Sequence, residues 1–443
     1  MSPELEGIRR ALATAQPVTI TGRVVRAAGV IVEASLPRVA LGTQVEIRVD
    51  RGEPLLAEVV GIHDGNAVLL PFGDLRGVAE GCLVVPRASS AEVPVGDALL
   101  GRVVDPLLRP IDGGPPMLLH DRVPLHASPP TAMQRRRIYT PFVTGVRAID
   151  GCLTLGEGQR VAIMAGPGVG KSVLLGMLAR SAEADVVVVG LIGERGREVR
   201  EFVERDLGPG LSRAVVVVAT GDEPPLLRVR AATAATAVAE SFRAQGLRVL
   251  LLVDSLSRVA MAQREVGLAA GEPPTSKGYP PSVFAQLPRL VERAGNDAGP
   301  GSITALYTVL AEGDDLSDPV ADAVRAALDG HLVLSRAMAE AGHFPAIDTL
   351  QSVSRVMSDV TQPPHLAAAR LLRDLLAAHR QASDLIDVGA YAPGANPRVD
   401  RALKVLPVVR RFLQQGPADP RGGLPATVAA LRAALEMKEG DHV

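Results

Sequence analysis

Short β-branched runs separated by turn residues open the chain: VTITGRVV, GVIVEA, VEIRV, LAEVVGI and NAVLLP, spaced by Gly, Pro, Asp and Asn. That spacing predicts a small all-β unit over residues 18–92, a compact barrel or sandwich. Ahead of it, MSPELEGIRRALATAQP sets Leu5, Ile8 and Leu12 at helical spacing. A short amphipathic helix over 1–17 is expected, its apolar stripe packing either on its own domain or on a partner helix. After the β unit, the Pro- and Gly-rich GRVVDPLLRPIDGG reads as a connecting wrap without a core of its own.

From about residue 140 to 360 the pattern becomes strand–helix alternation. Strands are predicted at RVAIMA, DVVVVGLI, RAVVVVAT, RVLLLVD, SITALYTVL and HLVLSR, with helices at 171–182, 224–245 and 281–293. Continuous apolar strands of this kind suit a parallel sheet covered on both faces. Past Pro363 and Pro364 the residues are Ala, Leu and Arg in helical periodicity, predicting a helical domain over 361–443 with breaks at GAYAPGANP and GPADPRGG.

Composition narrows the function classes. A chain of 443 residues can bury two or three domains, and 47% hydrophobic with 22% charged residues is globular usage. A net charge of −2, 2% aromatic residues and no Trp argue against a nucleic-acid surface, basic or stacking. No segment is long and apolar enough to span a bilayer, and the first residues lack a signal-peptide core. Two cysteines, Cys82 and Cys152, fit neither a disulfide framework nor a zinc motif, and read as small buried residues in a reducing compartment.

The most specific chemistry lies in VAIMAGPGVGKSVLLGML, where an apolar strand runs into a glycine loop and then a helix. That order makes a phosphate cradle of Gly166, Pro167, Gly168, Val169, Gly170, Lys171 and Ser172, with Val173 next to it, although Ala165 replaces the usual first glycine. Glycines bring successive N–H groups to phosphate oxygens, and the helix turns its positive end to the same anion. Lys171 would reach the β/γ-phosphates, and Ser172 would offer its hydroxyl to Mg²⁺. The expected ligand is a nucleoside triphosphate.

Four more clusters follow. Asp254 ends the apolar run RVLLLVD, where a carboxylate can hold Mg²⁺ through water. Glu194 and Arg195 follow VVVVGLIG; locally they read equally as a water-orienting carboxylate with its neighbour or as solvated charges. Phe344 precedes a proline and fits either purine stacking or core packing, while Arg355 follows two serines as an ordinary solvated cation would. In AEGDDLSDP, Asp314 and Asp315 fit a solvated loop better than a metal pair.

Taken together, AGPGVGKSVLLGML, GLIGERGREVREF, the long string from VLLLVDSLSRVAMAQRE to LVERAGN, YTVLAEGDDLSDP and HFPAIDTLQSVSRVM resemble the rotary-type ATPases related to the F1 α and β subunits. The resemblance is closest to the export ATPases of flagella and type III injectisomes and covers nearly the whole chain. It implies a β-barrel domain (18–92), a RecA-like P-loop ATPase core with its lead-in (93–360) and a C-terminal helical domain (361–443), an α/β protein assembled as a homohexamer. It further implies Lys171 and Ser172 at phosphate and Mg²⁺, Asp254 at the metal through water and Glu194 as the base that activates water, with Arg195 beside it. Arg355 matches the arginine that reaches a neighbouring subunit's nucleotide. Phe344 stands where relatives often carry Tyr beside the adenine, so stacking survives without the phenolic hydrogen bond.

The implied activity is ATP hydrolysis for protein export, at the cytoplasmic face of the inner membrane. Implied partners are a regulatory or stator protein at the N-terminal helix, a central stalk protein, export chaperones with their cargo, and the membrane export gate. AMAQRE and TSKGYPPSVF are more similar to the flagellar branch, since many injectisome relatives carry Arg where Met261 lies. Two other readings fit less well. A hexameric RNA or DNA translocase would need a basic or aromatic surface that residues 18–92 do not offer. A non-catalytic nucleotide-binding subunit would not need Glu194.

Overall fold

The structure is a computed structural model, described here for residues 20–50, 52–87, 92–310, 318–420 and 422–436. The helix expected over 1–17 and the Asp314–Asp315 loop lie outside the described residues. The chain divides into two compact units, one built on a barrel and one on a large sheet.

The barrel comprises β1 (Gly22–Ala28), β2 (Ile31–Ser35), β3 (Gln44–Arg48), β4 (Leu55–His63), β5 (Asn66–Pro71) and β6 (Leu83–Pro86), closed in the order β1-β2-β5-β4-β3-β6. Alternate residues point inward, so Val24, Val32, Val45, Ile47, Val59 and Leu69 fill the interior. Asp64 and Gly65, both at positive φ, form the two-residue turn that sets the β4–β5 register at His63–Asn66. Five strands match the apolar runs in the sequence. The sixth, LVVP, is only four residues long, yet it pairs with both β1 and β3 and closes the barrel.

The second unit centres on β7 (Arg102–Val104), β8 (Arg160–Ala165), β9 (Val186–Glu194), β10 (Ala214–Thr220), β11 (Arg248–Asp254), β12 (Ser302–Leu310), β13 (Gly330–Leu334) and β14 (Val353–Ser354). Among the described residues they run in the order β14-β13-β8-β12-β11-β9-β10-β7, all parallel except β14. The central strands are buried nearly end to end, as a sheet covered on both faces requires. Here the expectation of a coreless wrap needs correction: RVV of GRVVDPLLRPIDGG is the edge strand β7. Arg102 fixes the rest of that wrap through paired 2.7 Å hydrogen bonds to Asp112. A three-residue strand is too short for its pattern to show.

The helices between these strands include α1 (Arg147–Cys152), α2 (Lys171–Ser181), α3 (Pro225–Ala244), α4 (Leu256–Ala269) and α5 (Pro281–Glu292). The C-terminal helices α6 (Pro363–Asp387), α7 (Pro397–Leu413) and α8 (Leu424–Glu436) bury their apolar faces against one another and against α1. Gly151 in α1 admits the ring of Phe412; a Cβ there would lie 2.9 Å from Phe412 Cζ. His365 Nε2 meets the Gly151 carbonyl at 2.9 Å and anchors the start of α6. Cys82 and Cys152 are both buried free thiols, and burial pushes the Cys152 thiol up to about 12.

Candidate nucleotide site

Strand β8 ends in the loop Gly166–Gly170, at the edge where parallel sheets present their ligands. Gly168 and Gly170 take φ of 78° and 88°, conformations that a side chain would strain. Val169 is buried and pins the loop to the core, while Pro167 faces outward. Gly170 caps α2 with no side-chain acceptor, so the first N–H groups of that helix remain for an anion. Ser172 and Val173 on its first turn are exposed.

Lys171 Nζ donates to Asp254 Oδ1 at 2.6 Å and to Glu194 Oε1 at 3.2 Å. The three residues come from α2 and from the ends of the neighbouring strands β11 and β9, which the parallel register brings together. Asp254 is 3% exposed, and its Oδ1 also accepts the Thr308 hydroxyl at 2.6 Å from β12. Burial pushes the Asp254 pKa above its ordinary value against the opposing pull of Lys171. Burial also disfavours the Lys171 charge, but the Asp254 and Glu194 carboxylates outweigh it and hold that pKa above the usual lysine value.

Where β9 ends, its pairing with β10 slips by one residue at Gly193, whose φ is 75°. A Cβ there would sit 3.0 Å from Arg258 Cβ and Cγ, so Gly193 lets the Arg258 stem cross the strand end beside Glu194. The buried Arg258 Nε has no hydrogen-bond partner. Sequence reading missed this arginine, although its place four residues after Asp254, in the first turn of α4, was a usable signal. Arg195, by contrast, has an 87% exposed side chain whose ion pair is a 3.8 Å contact with Glu198.

Phe344 faces the loop from the other side, its ring 3.4 Å from where a Gly170 Cβ would lie. It lines a cleft of about 660 Å³ together with Gly168, Val173, Met177 and the 414–417 stretch that follows α7. Gln415 closes that wall: its N–H donates to Phe344 O at 2.9 Å, and its side chain bonds the Arg147 N–H and the Gly145 carbonyl. Sequence reading found Phe344 but not this C-terminal wall, some seventy residues further along the chain.

Arg355 lies elsewhere. Its N–H donates to Asp329 O at 3.1 Å, and Asp329 N–H donates to Arg160 O at the start of β8. The phosphate loop leaves the other end of β8, six residues away, or about 20 Å at ~3.3 Å per residue. The Arg355 side chain is exposed and has no hydrogen bond or ion pair among the described residues.

For Mg²⁺, the candidate donors are the Ser172 hydroxyl and the Asp254 carboxylate. Oxygen-only donors with a single buried carboxylate fit an ion that keeps most of its water and binds phosphate oxygens. No group of three or more His, Cys, Asp or Glu able to cage a metal occurs among the described residues.

A glycine loop between a buried parallel strand and a helix, its lysine held by two carboxylates, defines a P-loop nucleoside-triphosphate-binding core. The family model for the ATP synthase alpha/beta nucleotide-binding domain matches residues 145–354, that family's β-barrel domain matches 24–87, and the T3SS EscN ATPase C-terminal domain matches 361–433. The flagellum-specific ATP synthase of Pseudomonas aeruginosa is 51% identical over 93% of this chain and 92% of its own. The type 3 secretion system ATPase of Sinorhizobium fredii is 52% identical over 89% of this chain and 88% of its own. The assembled ATPase EscN of the enteropathogenic E. coli type III secretion system superposes with a TM-score of 0.88 at 45% identity, covering 94% of this chain and all of EscN. The chain belongs to the ATP synthase alpha/beta family, in the branch of flagellar and type III secretion ATPases.

Proposed function

We propose that the chain hydrolyses ATP with Mg²⁺ and drives protein export as a homohexamer on the cytoplasmic face of the inner membrane. The observation that carries the catalytic reading is the Lys171 bridge to Asp254 and Glu194 at the mouth of the phosphate loop. Lys171 and the loop N–H groups hold the phosphates, and Glu194 accepts the proton of the attacking water. Ser172 and Asp254 would hold Mg²⁺, which when bound neutralises charge on the β- and γ-oxygens. Thr308 fixes the Asp254 carboxylate, and Phe344 stacks on the adenine against the 414–417 wall. Arg258, beside Glu194, is better placed within the protomer than the outward-facing Arg195 to meet charge on the γ-phosphoryl group.

Arg355 is about a strand length from its own loop, and its side chain has no hydrogen bond or ion pair among the described residues, so it serves a neighbouring protomer's nucleotide. The similarity to both flagellar and injectisome ATPases makes protein export the shared role, and Met261 favours the flagellar branch. EscN has been solved both assembled and with its central stalk EscO; a stalk, chaperones with cargo, a regulator at the N-terminal helix and the export gate are the partners expected here, with no nucleic acid.

Protein concentration tests the assembly. ATPase activity should rise more than linearly, and Arg355→Ala should bind ATP nearly normally yet turn over slowly even when fully assembled. Constant activity per protomer down to dilutions that hold only monomer, or a wild-type Arg355→Ala rate, would remove the shared site.

A further inference from the structure

The segment from Phe344 to Arg355 runs from the nucleotide cleft to the opposite end of the sheet, and the first C-terminal helix grips it midway. Asp348 is the hub. It is 3% exposed, and its Oδ1 accepts the N–H groups of Leu350 and Gln351 at 2.9 and 3.2 Å. Both its oxygens accept Arg380 Nη2 from α6, at 3.0 and 2.9 Å. Seven residues earlier on α6, two turns along the same face, Arg373 Nη1 donates to the Ser352 carbonyl at 3.0 Å. Ser352 Oγ in turn donates to Asp348 O and accepts the Val333 N–H of β13, while Ser354 Oγ donates to Thr154 O. The backbone entering Arg355 is therefore fixed on one side by the sheet and on the other by two arginines of the C-terminal domain.

We infer that Arg373 and Arg380 are positioning residues: through Asp348 and Ser352 they aim Arg355, so the C-terminal helical domain sets the activity of the neighbouring protomer's site. The inference rests on the shared-site reading above. Its physical basis is that a long, solvated arginine is only as well placed as the backbone that carries it. A misplacement of about 1 Å at a reacting centre costs up to ~100-fold in rate.

A purely structural role for Arg380 would damage its own protomer's site. The aiming role damages the neighbour's, and mixed assemblies separate the two. Lys171→Ala protomers, which lack a working loop but keep Arg355, are mixed with Arg355→Ala protomers, and hydrolysis recovers at the interfaces that combine both intact halves. Adding Arg380→Met to the Lys171→Ala protomer should cut that recovery roughly tenfold. Adding it instead to the Arg355→Ala protomer should leave the recovery unchanged. Arg380→Lys in the first arrangement should restore part of it, and sedimentation checks that each mixture still assembles. The Arg380 side chain is 52% exposed, so its replacement opens no cavity in the core, and the buried Asp348 carboxylate keeps the Leu350 and Gln351 N–H groups and Gln351 Nε2 as donors. Recovery that is undiminished, or equally diminished in both arrangements, overturns the positioning role while leaving the shared site standing. No recovery in the parent mixture overturns both.

Discussion

Replacing Lys171 with Ala tests the site through stability as well as rate. It removes the ammonium 2.6 Å from Asp254 Oδ1 and leaves a carboxylate that is 3% exposed without that cation. Breaking a buried ion pair in this way costs about 3–5 kcal/mol. Asp254 can limit the loss by taking up a proton, which at pH 7.5 costs an ordinary aspartate about 5 kcal/mol and at pH 5.5 only about 2 kcal/mol. In the variant the folded-state pKa of Asp254 is thus raised above its unfolded value, so the folded chain gains stability as pH falls and loses it as pH rises. For a chain of 443 residues, ~2.1 cal/mol/K of unfolding entropy per residue converts these limits to a Tm deficit of about 3–5 °C at pH 7.5 and about 2 °C at pH 5.5. Thermal unfolding of variant and wild type at matched pH measures the difference. Asp254→Asn in the same background should recover most of the deficit without restoring hydrolysis. A deficit independent of pH, or one that Asp254→Asn enlarges, would refute the charge-pair account.

Two further outcomes follow from the surroundings of the cleft. Phe344→Ala removes the ring that faces Gly170 and should weaken ATP binding by about 1–2 kcal/mol, or 5- to 30-fold, with kcat largely kept; titration with a fluorescent ATP analogue reads this. His343 is buried with Nε2 unpartnered, and burial, reinforced by Arg410, holds its pKa below the ordinary value. As pH falls through about 6.5 the unfolded chain protonates first, so stability drops, and His343→Leu should show a smaller Tm decrease than wild type between pH 7.5 and 5.5.

What the sequence made legible was what lies contiguous in it. The phosphate loop, its strand and its helix occupy one stretch, and the six apolar strands announce a doubly covered sheet because burial on both faces leaves few polar positions. Glu194 and Asp254 could be placed at strand ends, but only the parallel register of β9 and β11 brings them to one lysine. Other features were carried by spatial neighbours distant in the chain. LVVP closes the barrel and RVV ends the large sheet, both too short for a period to show. Arg258 acquires meaning only beside Gly193. The wall of the nucleotide cleft and the grip of Arg380 on Asp348 join the C-terminal helices to the sheet across gaps that no local pattern spans.

The claim on which the rest depends is that Glu194 activates water at a nucleotide held by Lys171. Single-turnover hydrolysis of bound ATP by Glu194→Gln, compared with wild type at equal occupancy, tests it most directly. The amide cannot take the proton, so ATP should bind with undiminished affinity while cleavage slows by about 100-fold or more. Cleavage of bound ATP at the wild-type rate would contradict the account.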